Sequence, residues 1–302
     1  MKRITVIGSI STDFFATAPR FPQKGETITG FSFDTGFGGK GANQAIAISK
    51  LGGTVSMIGA VGSDRFAEPL INNLTETGVN ADNVERVTDI NSGSALITLA
   101  EQDNNIIYIP GANNKVSEKI IHSSKKIILE SDLIVIQNEI PEKTVEYVIN
   151  LCQKAGVPIL LNPAPARKID RALIDQVTYL TPNETECEVL FPNKDIKSVL
   201  KEYPNKLIVT LGSEGVIYHN GNSIVKVDPI EPKEIVDTTG AGDTFNGALS
   251  IAIVNDFSLE QAIKFANLAA SISIEKLGAQ TGSPTLSVMK ERNTYEKTWD
   301  FK

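Results

Sequence analysis

Short apolar runs alternate with stretches of helical period along most of this 302-residue chain. Ile4–Ile7 reads as a buried strand closed by Gly8. The Ala, Ile and Leu spacing from Asn43 to Leu51 predicts a helix stopped by Gly52-Gly53. Thr54–Ile58 predicts a strand, and Ala67, Leu70, Ile71 and Leu74 then recur at the interval of a helix with one buried face. Leu133–Gln137 predicts another strand. The helix after it opens at Pro141, with Val145, Val148, Ile149 and Cys152 as its apolar stripe. Further strands are expected at Val157–Leu161, Val177–Leu180 and Leu207–Thr210. Phe245, Ala248, Leu249, Ala252 and Ile253 mark a helix. Ser258 and Gln261 fit a capping box before a last helix, Ala262–Ile274, apolar on nearly every face. This alternation predicts an α/β fold: a largely parallel central sheet flanked by helices on both faces. Ligands in such folds bind beyond the carboxyl ends of the strands.

Two stretches break the alternation. Residues 11–37 and 91–110 lack helical period and are rich in Thr, Phe, Ile, Gly and Asn. Ser94–Ala100 and Ile106–Ile109 read as a hairpin around Gln102-Asp103-Asn104-Asn105. The economical reading is a small β-sheet lid contributed by both stretches, on a single α/β domain spanning 1–302. Lys290–Lys302 is charged and reads as a frayed tail.

Composition removes several function classes. Hydrophobic residues are 41% and charged residues 22%, the balance of a soluble globular chain. The two cysteines, Cys152 and Cys187, exclude a disulfide framework and point to a reducing, cytoplasmic setting. Together with the two histidines, His122 and His219, they cannot build a zinc site of the usual spacing. A general base is therefore expected to be a carboxylate. The net charge of −7, without a basic cluster, disfavours nucleic acid. No apolar run reaches the ~20 residues of a membrane span, and the N-terminus does not read as a signal peptide.

Four segments carry candidate chemistry. Asp237-Thr238-Thr239-Gly240-Ala241-Gly242-Asp243 runs directly into an apolar helix. Small residues let backbone amides approach an anion, and the helix start adds unpaired N–H groups and partial positive charge. The bland alternative is a tight turn with Asp243 as a helix-start carboxylate, and the carboxylate beside an anion hole tips the balance towards a phosphate site. Gly36-Phe37-Gly38-Gly39-Lys40-Gly41-Ala42-Asn43 contains G-x-G-x-x-G, but the preceding strand is distant and no acidic partner follows. Lys40 and Asn43 on close-packing glycines suit a small polyhydroxyl ligand better. Asn183 and Glu186, in Thr181-Pro182-Asn183-Glu184-Thr185-Glu186, read first as a capping-box pair. Beside a phosphate they could instead hold metal-bound waters. Thr210-Leu211-Gly212-Ser213-Glu214-Gly215 is a hairpin or a space for a flat base. Asp13, taken alone, reads as a turn former, Cys152 as core, and both histidines as solvated.

These motifs, in this order, resemble the ribokinase-like sugar kinases. The resemblance rests on Gly8-Ser9-Ile10 with Asp13, Phe37–Ala45, Gly111-Ala112-Asn113, Asn162-Pro163-Ala164-Pro165-Ala166, Pro182–Glu186, Thr210–Ser213, Gly242–Ala248 and Gly278-Ala279-Gln280. It covers nearly the whole chain and implies a helix-flanked sheet with a β lid that serves as a clasp in a homodimer. It implies ATP-dependent phosphorylation of a sugar's primary hydroxyl, the 5-hydroxyl of ribose foremost. Carried over, Asp243 would be the base and Gly240, Ala241 and Gly242 the anion hole. Ser11, Asp13, Gly39, Lys40, Gly41, Asn43 and Glu139 would hold the sugar. Asn183, Thr210, Gly212, Ser213, Glu214, Gly215 and Asn267 would line the ATP site, and Glu186 would support Mg²⁺ through water. K⁺ would sit by Asp237 with Thr239, Ser273, Lys276, Gly278 and Gly282. Two positions depart from the family pattern. Ser11 stands where Asn is usual, which keeps 2-deoxyribose, another pentose or a nucleoside open as acceptor. Gly282 stands where a serine side chain often helps the cation. From other classes, a nicotinamide-dependent oxidoreductase and a silent sugar sensor remain as remote readings.

Overall fold

The computed structural model describes residues 2–101 and 103–292. Gln102, in the expected hairpin turn, and residues 293–302 of the expected tail lie outside them. The strands in chain order are β1 (Arg3–Ile7), β2 (Ser11–Thr17), β3 (Ser32–Gly38), β4 (Thr54–Val61), β5 (Asn80–Arg86), β6 (Gly93–Ala100), β7 (Asp103–Ile109), β8 (Leu133–Gln137), β9 (Ile159–Asn162), β10 (Tyr179–Leu180), β11 (Ile208–Thr210), β12 (Val216–His219) and β13 (Ile224–Val227).

The near-continuous apolar runs become strands covered on both faces. Six parallel strands form the central sheet in the order β10-β9-β8-β1-β4-β5. Alternate side chains feed two cores, because successive Cβ atoms point to opposite faces. Ile4, Val6, Leu133, Val135 and Met57 join one, and Ile7, Ile134, Ile136 and Ile58 the other. The first core is closed by helices α1 (Lys40–Lys50), α2 (Ala67–Glu76), α4 (Ala241–Val254) and α5 (Leu259–Ser273). The second is closed largely by α3 (Glu142–Ala155), whose stripe of Val145, Val148, Ile149 and Cys152 is buried as expected.

The expected strands and helices are present with shifted ends. α1 begins three residues before Asn43, because Gly41 in its first turn interrupts the apolar period without breaking the helix. Edge strand β5, Asn-Ala-Asp-Asn-Val-Glu-Arg, was not expected; one neighbour suffices to hold it, so its sequence stays polar. The Leu207–Thr210 segment, read with the parallel strands, opens an antiparallel sheet β11-β12-β13 instead. Two parallel bridges, Leu180 to Leu207 and Asn183 to Thr210, still join it to the β10 side.

Residues 11–37 and 91–110 supply a four-stranded sheet, β3-β2-β6-β7. Only Gly8-Ser9-Ile10 separate β1 from β2, so this lid grows out of the carboxyl end of the central sheet. Asp13, Ala95 and Tyr108 form one cross-strand row, and Phe14, Leu96 and Ile107 the next. Neighbouring rows face opposite ways, so the first row turns to one side and the second to the other.

Candidate active site

The carboxyl ends of β1, β8, β9 and β10 meet the N-termini of α1 and α4. The approach is close because α1 packs backbone to backbone. A Cβ on Gly41 would lie 2.7 Å from the carbonyl carbon of Gly8. Gly39 precedes the helix with φ +89°, a conformation that other residues rarely adopt.

Asp243 lies in the first turn of α4 and is only 7% exposed. Asn43 Nδ2 donates to its Oδ2 and Gln44 Nε2 to its Oδ1, both at 2.9 Å. The helix starts from Gly240 at φ +77°. The Ala241 N–H turns back to the Thr238 carbonyl at 3.3 Å. By helix geometry the N–H groups of Gly242 and Asp243 have no acceptor within the helix. A Cβ at Gly242 would meet nothing within 4 Å, so open space adjoins these donors. An anchored carboxylate thus sits beside main-chain donors facing a void.

The residues expected to hold the sugar form one electrostatic cluster. Asp13 is on lid strand β2 rather than in a turn; burial pushes its carboxyl up to about 7, with Ser11 opposing and Glu139 and Asp243 adding. The Ser11 hydroxyl donates to Asp13 Oδ1 at 3.2 Å. Burial likewise raises Glu139, although Lys40, the Ser9 hydroxyl and the Lys40 N–H (3.0 Å) all favour its charged form. Burial works against the Lys40 ammonium, but Asp243, Glu139, Glu186 and Asp13 outweigh it and hold the group above its ordinary value. Tyr108 joins from the lid: burial and Glu139 raise its hydroxyl, which accepts from Asn113 Nδ2 at 3.1 Å. Asn113 also brackets Ile10, accepting its N–H at 3.0 Å and donating to its carbonyl at 2.9 Å.

On the far side, Asn183 and Glu186 make the reciprocal capping box, at 2.8 and 2.9 Å. Burial raises the Glu186 carboxyl, against the Asn183 N–H and Lys40. Gly212, Ser213 and Glu214 form a single 3₁₀ turn after Thr210, in the β11–β12 hairpin. Glu214 and Lys226 lie 3.5 Å apart. A Cβ on Gly215 would collide with the Val227 carbonyl, so this turn requires glycine. Asn267 of α5 donates to the Asp228 carbonyl at 2.9 Å, which fixes it beside β13. Among the described residues these groups make no hydrogen bond to Asp243, whose charge still helps to raise Glu186.

The loop before α4 is tied to the one after α5. Asp237 accepts the N–H groups of Thr239 (2.9 Å) and Gly278 (2.8 Å). A Cβ on Gly282 would collide with the Ser273 carbonyl and lie 3.4 Å from that of Lys276, so glycine lets two carbonyls converge there. Lys50 Nζ donates to the carbonyls of Gln280 (2.5 Å) and Ser283 (3.1 Å) in the same loop.

Sequence reasoning assigned no role to Gln44, Gln280, Tyr108 or Lys50. Gln44 and Gln280 stand inside segments that carry the family resemblance, which was the available signal. Gln280 Nε2 donates to Asn43 Oδ1 at 2.9 Å and Asn73 Nδ2 to Gln280 Oε1 at 2.8 Å. Tyr108 and Lys50 gave no signal, because only folding brings the lid hairpin and the end of α1 to the site.

A family model for the pfkB family carbohydrate kinases matches residues 1–286. A ribokinase of Lactococcus lactis is 48% identical over 293 residues, covering 97% of each chain. A ribokinase of Bacillus subtilis is 46% identical over 291 residues, covering 96% of this chain and 99% of its own. Among solved structures, an Arabidopsis thaliana ribokinase complexed with ribose and ATP superposes with a TM-score of 0.87 at 31% identity. It covers 98% of this chain and 100% of its own.

Proposed function

We propose that this chain, which belongs to the pfkB family of carbohydrate kinases, transfers the γ-phosphoryl group of ATP to the 5-hydroxyl of D-ribose. The observation that carries the reading is the pairing of Asp243, anchored by two carboxamides, with free helix-start donors over open space. Phosphoryl transfer asks a protein mainly to position groups and stabilise charge. Asp243 accepts the acceptor hydroxyl's proton as the O–P bond forms. Of the anion hole expected at Gly240, Ala241 and Gly242, the Ala241 N–H is spent on the Thr238 carbonyl, and the N–H groups of Gly242 and Asp243 face the charge on the transferring group. Asp13, Lys40, Asn43 and Glu139 orient the sugar, and the lid excludes water, the competing acceptor. The turn at Gly212–Gly215 and Asn267 receive the nucleotide.

The donor set fits both ions of the family pattern. No cluster of three or more His, Cys, Asp or Glu side chains among the described residues could hold a metal directly. Mg²⁺ would therefore be held through water by Glu186 and by the phosphates, supplying charge neutralisation there. K⁺ would be held by the loop of Asp237, Thr239, Ser273, Lys276 and Gly278; the approach of the Ser273 and Lys276 carbonyls to Gly282, and the tie of Asp237 to the Thr239 and Gly278 N–H groups, support this reading. The lid supports a homodimer. Its outward row leaves Leu96 45% and Ile107 64% exposed beside Phe33 at 65%, a patch that a second copy would cover. Two buried free cysteines accord with a cytoplasmic setting, and among the described residues no helix is long and apolar enough to cross a membrane.

ADP release should be measured over ribose, 2-deoxyribose, other pentoses and inosine, with K⁺ or Na⁺. Ribose should give the highest kcat/KM, and K⁺ should raise it. Because Ser11 engages Asp13 rather than reaching further, a panel led by 2-deoxyribose would reassign the acceptor. Asp243→Asn should lower kcat roughly 10²–10⁴-fold while ATP affinity stays close to wild type. Near-normal turnover of that variant would remove Asp243 from its role.

A further inference from the structure

Asp243 sits at the end of a chain of buried carboxamides, and each has a defined direction. Gln44, fully buried, uses one amide nitrogen twice: on Asp243 Oδ1 at 2.9 Å and on Asn162 Oδ1 at 3.1 Å. Its Oε1 accepts from Gln137 Nε2 at 2.7 Å. Asn162 donates to the Thr181 carbonyl (3.1 Å), the Thr181 hydroxyl to Asn246 Oδ1 (2.6 Å), and Asn246 Nδ2 to the Gly242 carbonyl (2.8 Å). The chain thus leaves Asp243 and returns to the helix turn that carries it.

One member is left incomplete. Gln137 Oε1 is buried with no hydrogen-bond partner. A buried orphan acceptor is uncommon in native structures and calls for a reason. Turning the Gln137 amide over would present its oxygen to Gln44. The Gln44 amide would then have to turn as well, pointing its own oxygen at the Asp243 carboxylate. Two acceptors would face each other. The present arrangement points the Gln137 donor at Gln44 and a Gln44 donor at Asp243, and leaves the deficit at the Gln137 end. Gly8 makes room for it, since a Cβ there would collide with Gln137 Oε1.

We propose that Gln44, held in orientation by Gln137 and Asn162, is a positioning residue for the phosphoryl transfer. It ties one oxygen of Asp243 so that a remaining lone pair is aimed at the acceptor hydroxyl. This rests on the kinase reading above. Gln44 contributes to kcat rather than to binding, because its amide is spent on Asp243, Asn162 and Gln137.

The test is steady-state kinetics with ribose and ATP on wild type, Gln44→Met, Gln137→Met and the double variant, alongside thermal melting. Met keeps the length and removes the donor. Gln44→Met should lower kcat about 10- to 100-fold, the order expected for a misaligned reacting group, with both KM values within about twofold. Gln137→Met should lower kcat less. The double variant should be no slower than Gln44→Met, since the two act on one contact. Normal kcat in Gln44→Met, a loss carried by the ribose KM, or additive losses in the double variant would each overturn the proposal. If Gln44→Met does not fold, Gln137→Met decides: normal kcat refutes the orienting role. A wild-type protein with no kinase activity would instead overturn the reading of the site.

Discussion

Asp13 is held where burial and two neighbouring carboxylates work against its charge. Its carboxyl is pushed up to about 7 from an ordinary 3.8, first by burial and then by Glu139 and Asp243. The folded chain therefore keeps a proton that the unfolded chain has lost between about pH 4 and 7. Stability falls as pH rises through that window. Glu139 and Glu186 are shifted in the same direction and add to the slope. Asp13→Asn should flatten this dependence and raise the stability of the substrate-free protein at pH 8 by about 1–3 kcal/mol, read as a higher melting temperature. The same variant should lose ribose binding. Melting curves from pH 5 to 8 check it, and a lower melting point for the variant at pH 8 would contradict it. None of this was legible from Asp13 as a letter in the sequence. An isolated Asp after a strand reads as a turn former, and only the convergence of the lid on Glu139 and Asp243 gives it a buried partner set.

Helix starts show two uses of one motif. Ser258 and Gln261 form the capping box expected for α5, and Asn183 and Glu186 form the same box at the edge of the site. Ser258→Ala should cost about 0.5–2 kcal/mol of stability and leave kcat and both KM values unchanged. Asn183→Ala should cost a similar amount and also raise the KM for ATP. Melting curves paired with kinetics separate the two, and an unchanged ATP KM in Asn183→Ala would reduce that box to a cap. Element identity was legible wherever a segment is covered on one or both faces, as in β1, β8, α3 and α5. It was not legible for β5, whose edge position requires no apolar pattern, nor for the turn of β11 away from the central sheet. That turn is set by pairing with β12, a contact outside any local window.

Over the whole molecule the pleat of the lid sheet separates two faces. The row of Asp13, Ala95 and Tyr108 lies towards Glu139, and the row of Phe14, Leu96 and Ile107 faces away. Charge placed on the outward row should break the proposed dimer. Phe33→Asp with Ile107→Asp should sediment as a monomer at micromolar concentration, with a raised KM for ribose because each lid loses its support. Dimers persisting in that double variant would move the interface elsewhere.

The amino-acid sequence by itself determined the alternation of strands and helices, the lid segments, and the motifs by which the chain resembles its family. These depend on short-range period, small residues and turn chemistry, which are written locally. The tertiary structure alone decided which side chains complete the site. Gln44, Gln137, Asn162 and Gln280 are single amides, and an amide acquires a direction only from the partner that folding sets opposite it.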